Sequence, residues 1–212
     1  MAVSNSAKDS TTESIWLGLG TNMGDRMLYL RRALLALHEE PELQLRCASL
    51  VSETEYVGEG DQEPYLNACV EIESSLEPPQ LLAILKAIER REGRPEQGHM
   101  LPRPIDLDIL LWGDRILSDS GLQVPHKGMR DRAFVLIPLA SIAPAITFPD
   151  SGETIAQACA NIRRKSGPWV RPYECEEWIP GRSRDQMPGP GEAFGLDLNK
   201  EDWRAALAVH CR

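Results

Sequence analysis

The segment richest in chemistry is Arg103-Pro104-Ile105-Asp106-Leu107-Asp108-Ile109-Leu110-Leu111. Side chains alternate faces along a strand, so Asp106 and Asp108 share one face with Cα atoms roughly 6.5 Å apart, and Leu107, Ile109 and Leu111 are expected in the core. Two adjacent carboxylates repel unless a cation lies between them. Hard oxygen ligands with open positions suit Mg²⁺, which keeps waters and completes its shell with phosphate oxygens. The alternative is a pair of solvated aspartates at a sheet edge, and a lone D-x-D does not decide between the two. The surroundings favour the cation. Arg94 and Arg103 flank the preceding loop, and His126, Lys127, Arg130 and Arg132 follow the strand. Guanidinium groups meet phosphate oxygens with a fork of donors. A polyphosphate site, where the protein mainly positions groups and screens charge, needs such a cluster.

A second constellation is Tyr65-Leu66-Asn67, with Thr54 and Val57 upstream and Phe134 downstream. A buried Asn must find partners for its amide and carbonyl, and it could read the edge of a flat heterocycle. Tyr65 and Phe134 could stack on the ring faces. A core Phe, a surface Tyr and a strand-capping Asn are the plainer alternative. The turn Gly18-Leu19-Gly20-Thr21-Asn22-Met23-Gly24 has the look of a dinucleotide-binding glycine loop. That motif needs a parallel βαβ unit and an acidic residue closing the second strand. Here the second strand ends near Thr54 and a third follows without a helix. No P-loop motif is present.

Apolar periodicity supplies the scaffold. Ile15 to Leu19 predicts a strand, and Asp25 caps a helix running to about Leu37. Alternation from Leu43 to about Thr54 predicts a second strand, and the turn-formers from Glu55 to Pro64 a loop. Asn67 to Glu73 is a third strand, Pro78 opens a helix that stops at Gly93, and Ile105 to Trp112 is a fourth strand after a loop from Arg94. The order βαββαβ is that of an α+β ferredoxin-like fold, with an antiparallel sheet and both crossover helices on one face. Two further helices are expected, an apolar one from Ala133 to Ala143 interrupted by Pro138, and a short one from Glu153 to Asn161. Residues 1–14 read as a disordered leader and 15–164 as the main domain. Residues 165–212, with five Pro, five Gly and three Trp (Trp169, Trp178, Trp203), read as a loose appendage docked by its aromatics, without its own core.

The 212 residues carry a formal net charge of −9, with 42% hydrophobic and 26% charged residues. An acidic chain of this kind is a poor nucleic-acid or anionic-membrane binder. No apolar run approaches the roughly 20 residues that span a bilayer. Five scattered cysteines without a C-x-x-C pair point to a reducing cytoplasm.

The segments GLGTNMG (Gly18–Gly24), YLNA (Tyr65–Ala68), IERREGR (Ile88–Arg94), PRPIDLDIL (Pro102–Leu110) and VPHKGMRDRAFVLIPL from Val124 to Leu139 occur in one order over about residues 15 to 162. Together they resemble the 6-hydroxymethyl-7,8-dihydropterin pyrophosphokinases of folate biosynthesis. The resemblance implies transfer of an intact pyrophosphoryl group from ATP to the pterin hydroxymethyl oxygen, releasing AMP. It matches Asp106 and Asp108 to a pair holding two Mg²⁺ ions, and Arg94 and Arg103 to catalytic cations. It matches Glu89, His126 and Arg132 to ATP contacts. Thr54, Val57, Tyr65, Asn67 and Phe134 match the pterin pocket, with Tyr65 and Phe134 stacking. A monomer is implied, with association with other folate enzymes open. Glu96 stands where the family carries a second loop Arg, Met100-Leu101 replace an aromatic and a small residue, and the loop is one residue shorter. Lys127 stands where Tyr or Pro is common. These departures leave open a catalytically impaired pterin- or nucleotide-binding homologue.

Overall fold

The computed structural model describes residues 13–58, 60–95, 101–119, 121–163, 167–173 and 178–179. The elements run β1 (Glu13–Thr21), α1 (Arg26–Glu39), β2 (Leu43–Ala48), β3 (Ser52–Thr54), β4 (Tyr65–Ser74), α2 (Pro78–Arg91) and β5 (Asp106–Trp112). There follow β6 (Leu117–Asp119), β7 (Leu122–Val124), a 3-10 turn at Met129–Asp131, α3 (Ala133–Ile142), α4 (Ile155–Arg163) and β8 (Val170–Pro172). The sheet order is β5-β1-β4-β3-β8, with β2 also paired to β4. Strand β1 is antiparallel to both β4 and β5. This is the expected ferredoxin-like βαββαβ core.

Helix α1 starts where the Asp25 carboxylate accepts the Leu28 N–H at 3.0 Å. Its stripe Leu30, Ala33, Leu34 and Leu37 and the α2 residues Leu81, Leu85 and Ile88 pack on Ile15, Leu17, Leu19, Leu107 and Ile109. Gly93, at φ +91°, ends α2 in a conformation open to glycine at little cost. Helices α3 and α4 cover the opposite face, against Trp16, Cys69, Leu110 and Leu111. Pro138 lies inside α3 rather than interrupting it. Among the described residues no helix is long and apolar enough to cross a membrane.

The structure corrects several expectations. The first strand runs from Glu13, inside the expected leader, through Gly20 to Thr21. The second strand is broken at Ser49 to Val51, where the pairing of β2 and β3 with β4 gains a residue. Ser49 mends the gap: its N–H donates to Cys69 O at 2.8 Å and its Oγ accepts the Cys69 N–H at 2.9 Å. In β5 the register slips between Trp16 and Leu17, leaving Leu110 as a bulge. Leu111 therefore leaves the face of Leu107 and Ile109 for the α3–α4 side. Part of the expected loose tail is built in: β8 pairs with β3, and Trp178, 1% exposed, donates its indole N–H to Ser49 O at 2.7 Å.

Candidate active site

Pairing across the sheet places Asp106 opposite Gly20, Gly20 opposite Asn67, and Asn67 opposite Ser52. A second row holds Asp108, Gly18 and Cys69. Both glycines lie within β1 and form a flat floor between the aspartates and β4. A Cβ on Gly20 would stand 3.2 Å from Asn67 Oδ1 and 4.0 Å from Asp106 Cβ. Gly18-Leu19-Gly20 is therefore strand, and the dinucleotide-loop reading falls. Burial keeps the Cys69 thiol far above its usual range, so it is not a nucleophile.

The two aspartates differ in surroundings. Asp106 is gripped by the Arg94 guanidinium, and Arg103 Nη1 donates to its Oδ2 at 2.8 Å. Desolvation alone would raise its carboxyl; Arg103 and Arg94 overcome that and hold it low. Arg94 is braced in turn by Glu89, whose Oε1 lies 2.7 Å away. Glu89 is 2% exposed and also accepts the Leu107 N–H at 2.8 Å and Lys86 Nζ at 2.9 Å. Burial pushes Glu89 up, with those donors opposing.

His126 Nε2 lies 3.8 Å from Asp108 Oδ2, a contact that becomes an ion pair only when the imidazole is protonated. Desolvation and then the Asp106 charge push Asp108 above the usual carboxylate range. It is a carboxylate short of positive charge. His126 is pulled low, first by burial, and its Nδ1 is buried without a hydrogen-bond partner. Its backbone N–H donates to Leu110 O at 2.9 Å, which pins it to the β5 edge. An open groove of about 350 Å³ runs along that edge, lined by Leu82, Lys86, Asp108, Ile109, Gln123 and His126 among others.

At the other end of the row, Asn67 Nδ2 donates to Thr54 Oγ1 at 2.9 Å, and both residues are buried. The ring beside Tyr65 is Tyr56, with centroids 6.4 Å apart. Phe134 instead lies under the Arg132 guanidinium, 5.8 Å from its centroid. Val57 is 56% exposed. The structure thus gathers Glu89, Arg94, Arg103, Asp106, Asp108 and His126, and sets Thr54, Asn67 and Tyr65 on the same face of the sheet. Glu96 and Met100 fall outside the described residues.

Sequence reasoning missed Asn22, Lys86 and Tyr56. Asn22 is a hub. Its Oδ1 accepts the Arg103 N–H at 2.9 Å, its own N–H donates to Arg103 O at 3.3 Å, and its Nδ2 donates to Gln62 Oε1 at 2.9 Å. The available signal was its place at the end of the glycine segment, where the chain leaves the sheet beside the site.

Among the described residues no three His, Cys, Asp or Glu side chains converge on one metal position. The donor set is a hard-oxygen pair, one member of it under-neutralised, which fits a cation that shares its shell with phosphates.

A family model described as 7,8-dihydro-6-hydroxymethylpterin-pyrophosphokinase (HPPK) matches residues 16–144. A Bacillus subtilis 2-amino-4-hydroxy-6-hydroxymethyldihydropteridine pyrophosphokinase is 39% identical over 153 residues, covering 72% of this chain and 92% of its own. Its counterpart from Pseudomonas aeruginosa is 37% identical over 169 residues, covering 80% and 98%. Among solved structures, Plasmodium falciparum HPPK-DHPS A437G with pteroate aligns at a TM-score of 0.56 and 15% identity. That alignment covers 73% of this chain and 41% of that one, and shows the fold.

Proposed function

The chain belongs to the 7,8-dihydro-6-hydroxymethylpterin-pyrophosphokinase family, and from that premise we infer how its site works. It transfers pyrophosphate from ATP to the hydroxymethyl group of 6-hydroxymethyl-7,8-dihydropterin in folate biosynthesis. The hydroxymethyl oxygen bonds to the β-phosphorus, the bond from that phosphorus to the α-bridging oxygen breaks, AMP leaves, and the hydroxyl proton is released. The observation that carries the site assignment is the row Asp106, Gly20, Asn67: a carboxylate held by two guanidinium groups and a buried amide ledge face each other across a glycine floor.

Asp106 and Asp108 would hold Mg²⁺, as two ions with ATP, which supplies charge neutralisation for the triphosphate. Arg94 and Arg103 now neutralise Asp106, and both stand where they would turn to phosphate oxygens. Glu89 keeps Arg94 at that post. The β5-edge groove, with His126, would take the nucleotide together with Arg132. The Asn67 amide and Thr54 hydroxyl would read the pterin edge, with Tyr65 and Phe134 against its faces and Val57 on the covering loop. Orientation of oxygen and phosphorus is the main contribution such a site makes.

The free thiols Cys47, Cys69 and Cys159 support a reducing, cytoplasmic setting. The HPPK-DHPS fusions among the structural neighbours support association with another folate enzyme. The test is product analysis with ATP, Mg²⁺ and 6-hydroxymethyl-7,8-dihydropterin. Pterin-dependent AMP is expected. ADP would overturn the chemistry, and binding of both substrates without AMP would mark an impaired homologue.

A further inference from the structure

Strand β3 brings Thr54 to the substrate ledge, yet it is three residues long and follows a break in the sheet. What holds it comes from the C-terminal region. Strand β8 pairs with it, setting Arg171 opposite Glu53 and Val170 opposite Thr54. The Tyr173 N–H donates to Val51 O at 2.9 Å, and the Glu55 N–H donates to Trp169 O at 3.2 Å. These two bonds bracket β3. Trp178 then anchors the segment in the core through Ser49.

On the face away from the site, Glu53 is a buried carboxylate held from two sides. Arg171 Nε donates to its Oε2 at 2.9 Å, and Arg26 Nη1 donates to its Oε1 at 3.0 Å. The same Arg26 Nη1 donates to Pro64 O at 2.7 Å. Glu53 and Pro64 flank the loop between β3 and β4, so one guanidinium joins both ends of its stem. Arg171 also stacks over Trp169, 4.8 Å from the ring centroid.

We propose that residues 169–173, anchored by Trp178, are a clasp that holds β3 and the stem of the 55–64 loop in the geometry that reads the pterin, with Glu53 and Arg171 as positioning residues. The inference rests on reading the Thr54–Asn67 ledge as the pterin side. Neither residue touches the ledge; both act by holding the backbone that carries it.

The test uses the full chain with Arg171→Ala and Arg171→Lys. The Arg171 side chain is 67% exposed, so its removal opens no core cavity. Arg171→Ala raises the pterin KM about fivefold, the scale of one partly exposed ion pair, and leaves the ATP KM unchanged. Arg171→Lys, which keeps the charge without the fork, recovers part of the loss. Hydrogen exchange of the amides of residues 53–58 is faster in Arg171→Ala. An unchanged pterin KM, or an equal rise in both KM values, overturns the clasp. If the unaltered chain makes no AMP, the functional reading fails; the exchange measurement still judges the clasp, and exchange unaltered by Arg171→Ala overturns it.

Discussion

Asp106 and Asp108 are two residues apart on one strand face, but they are not equivalent. Asp106 is clamped by two guanidinium groups and held low, whereas Asp108 is pushed up by desolvation and by Asp106. Removing each charge therefore has a different consequence. Asp108→Asn relieves carboxylate repulsion in the free protein, so the melting temperature without metal stays level or rises, while AMP formation falls by about a hundredfold or more. Asp106→Asn leaves Arg94 and Arg103 without their anionic partner and costs about 2 kcal/mol in chemical denaturation besides the loss of turnover. Equal destabilisation by both variants would contradict the assigned asymmetry. The D-x-D spacing was legible in the sequence because strand alternation is a local property. The asymmetry was not, because it depends on Glu89 and Asn22 steering Arg94 and Arg103 from elsewhere in the chain.

At the scale of elements, the readings that succeeded rested on periodicity. The stripe of α1, the stop at Gly93 and the βαββαβ order all follow from local pattern. Those that failed rested on pairing. Gly20 after a short apolar run reads as the start of a turn, yet it stays in β1, paired with Asn67 on one side and Asp106 on the other. The test is Gly20→Ala. Its added methyl meets Asn67 Oδ1 at 3.2 Å, so the ledge must shift by a few tenths of an ångström. Pterin affinity in a binding titration falls about tenfold, with a stability loss of about 1–2 kcal/mol. Strand β3 offers the pH test. Burial would raise Glu53, but the hydrogen bonds from Arg171 and Arg26 outweigh it and hold the carboxyl below its usual range. The folded state thus binds this proton less readily than the unfolded chain. The stabilisation is complete above the unfolded carboxylate range and is lost as pH falls through the lowered folded value. Glu53→Gln lowers stability at neutral pH and flattens the acid limb of the stability–pH curve; a parallel curve would show that Glu53 carries no such linkage.

Over the whole molecule, a chain of net charge −9 sets Lys86, Arg94 and Arg103 against Glu89 and Asp106 beside the β5 edge, so its local cations are held in place by carboxylates rather than massed as a free positive patch. The same sheet joins the core to the C-terminal region, because Trp178 and Ile179 pack into the cluster formed by α1, α2 and β1. Composition, with five Pro, five Gly and three Trp in the tail, suggested a loose appendage docked by its aromatics. Which of the three indoles is buried is invisible to composition, and the seat of Trp178 at the Ser49 break could not be read from the strand pattern. The described part of the tail is therefore structural, and removing its anchor should be felt by the entire fold. Trp178→Ala leaves a large cavity and an unpaired Ser49 carbonyl, costing about 3–5 kcal/mol and lowering the melting temperature by about 10 °C. Trp178→Phe fills most of the space but loses the N–H, and its loss should be about 1–2 kcal/mol. Thermal unfolding followed by circular dichroism distinguishes the outcomes. A single shifted transition is expected, because the tail and the sheet share one core. A Trp178→Ala protein melting at the unaltered temperature would mean that the region beyond α4 contributes nothing to the stability of the domain.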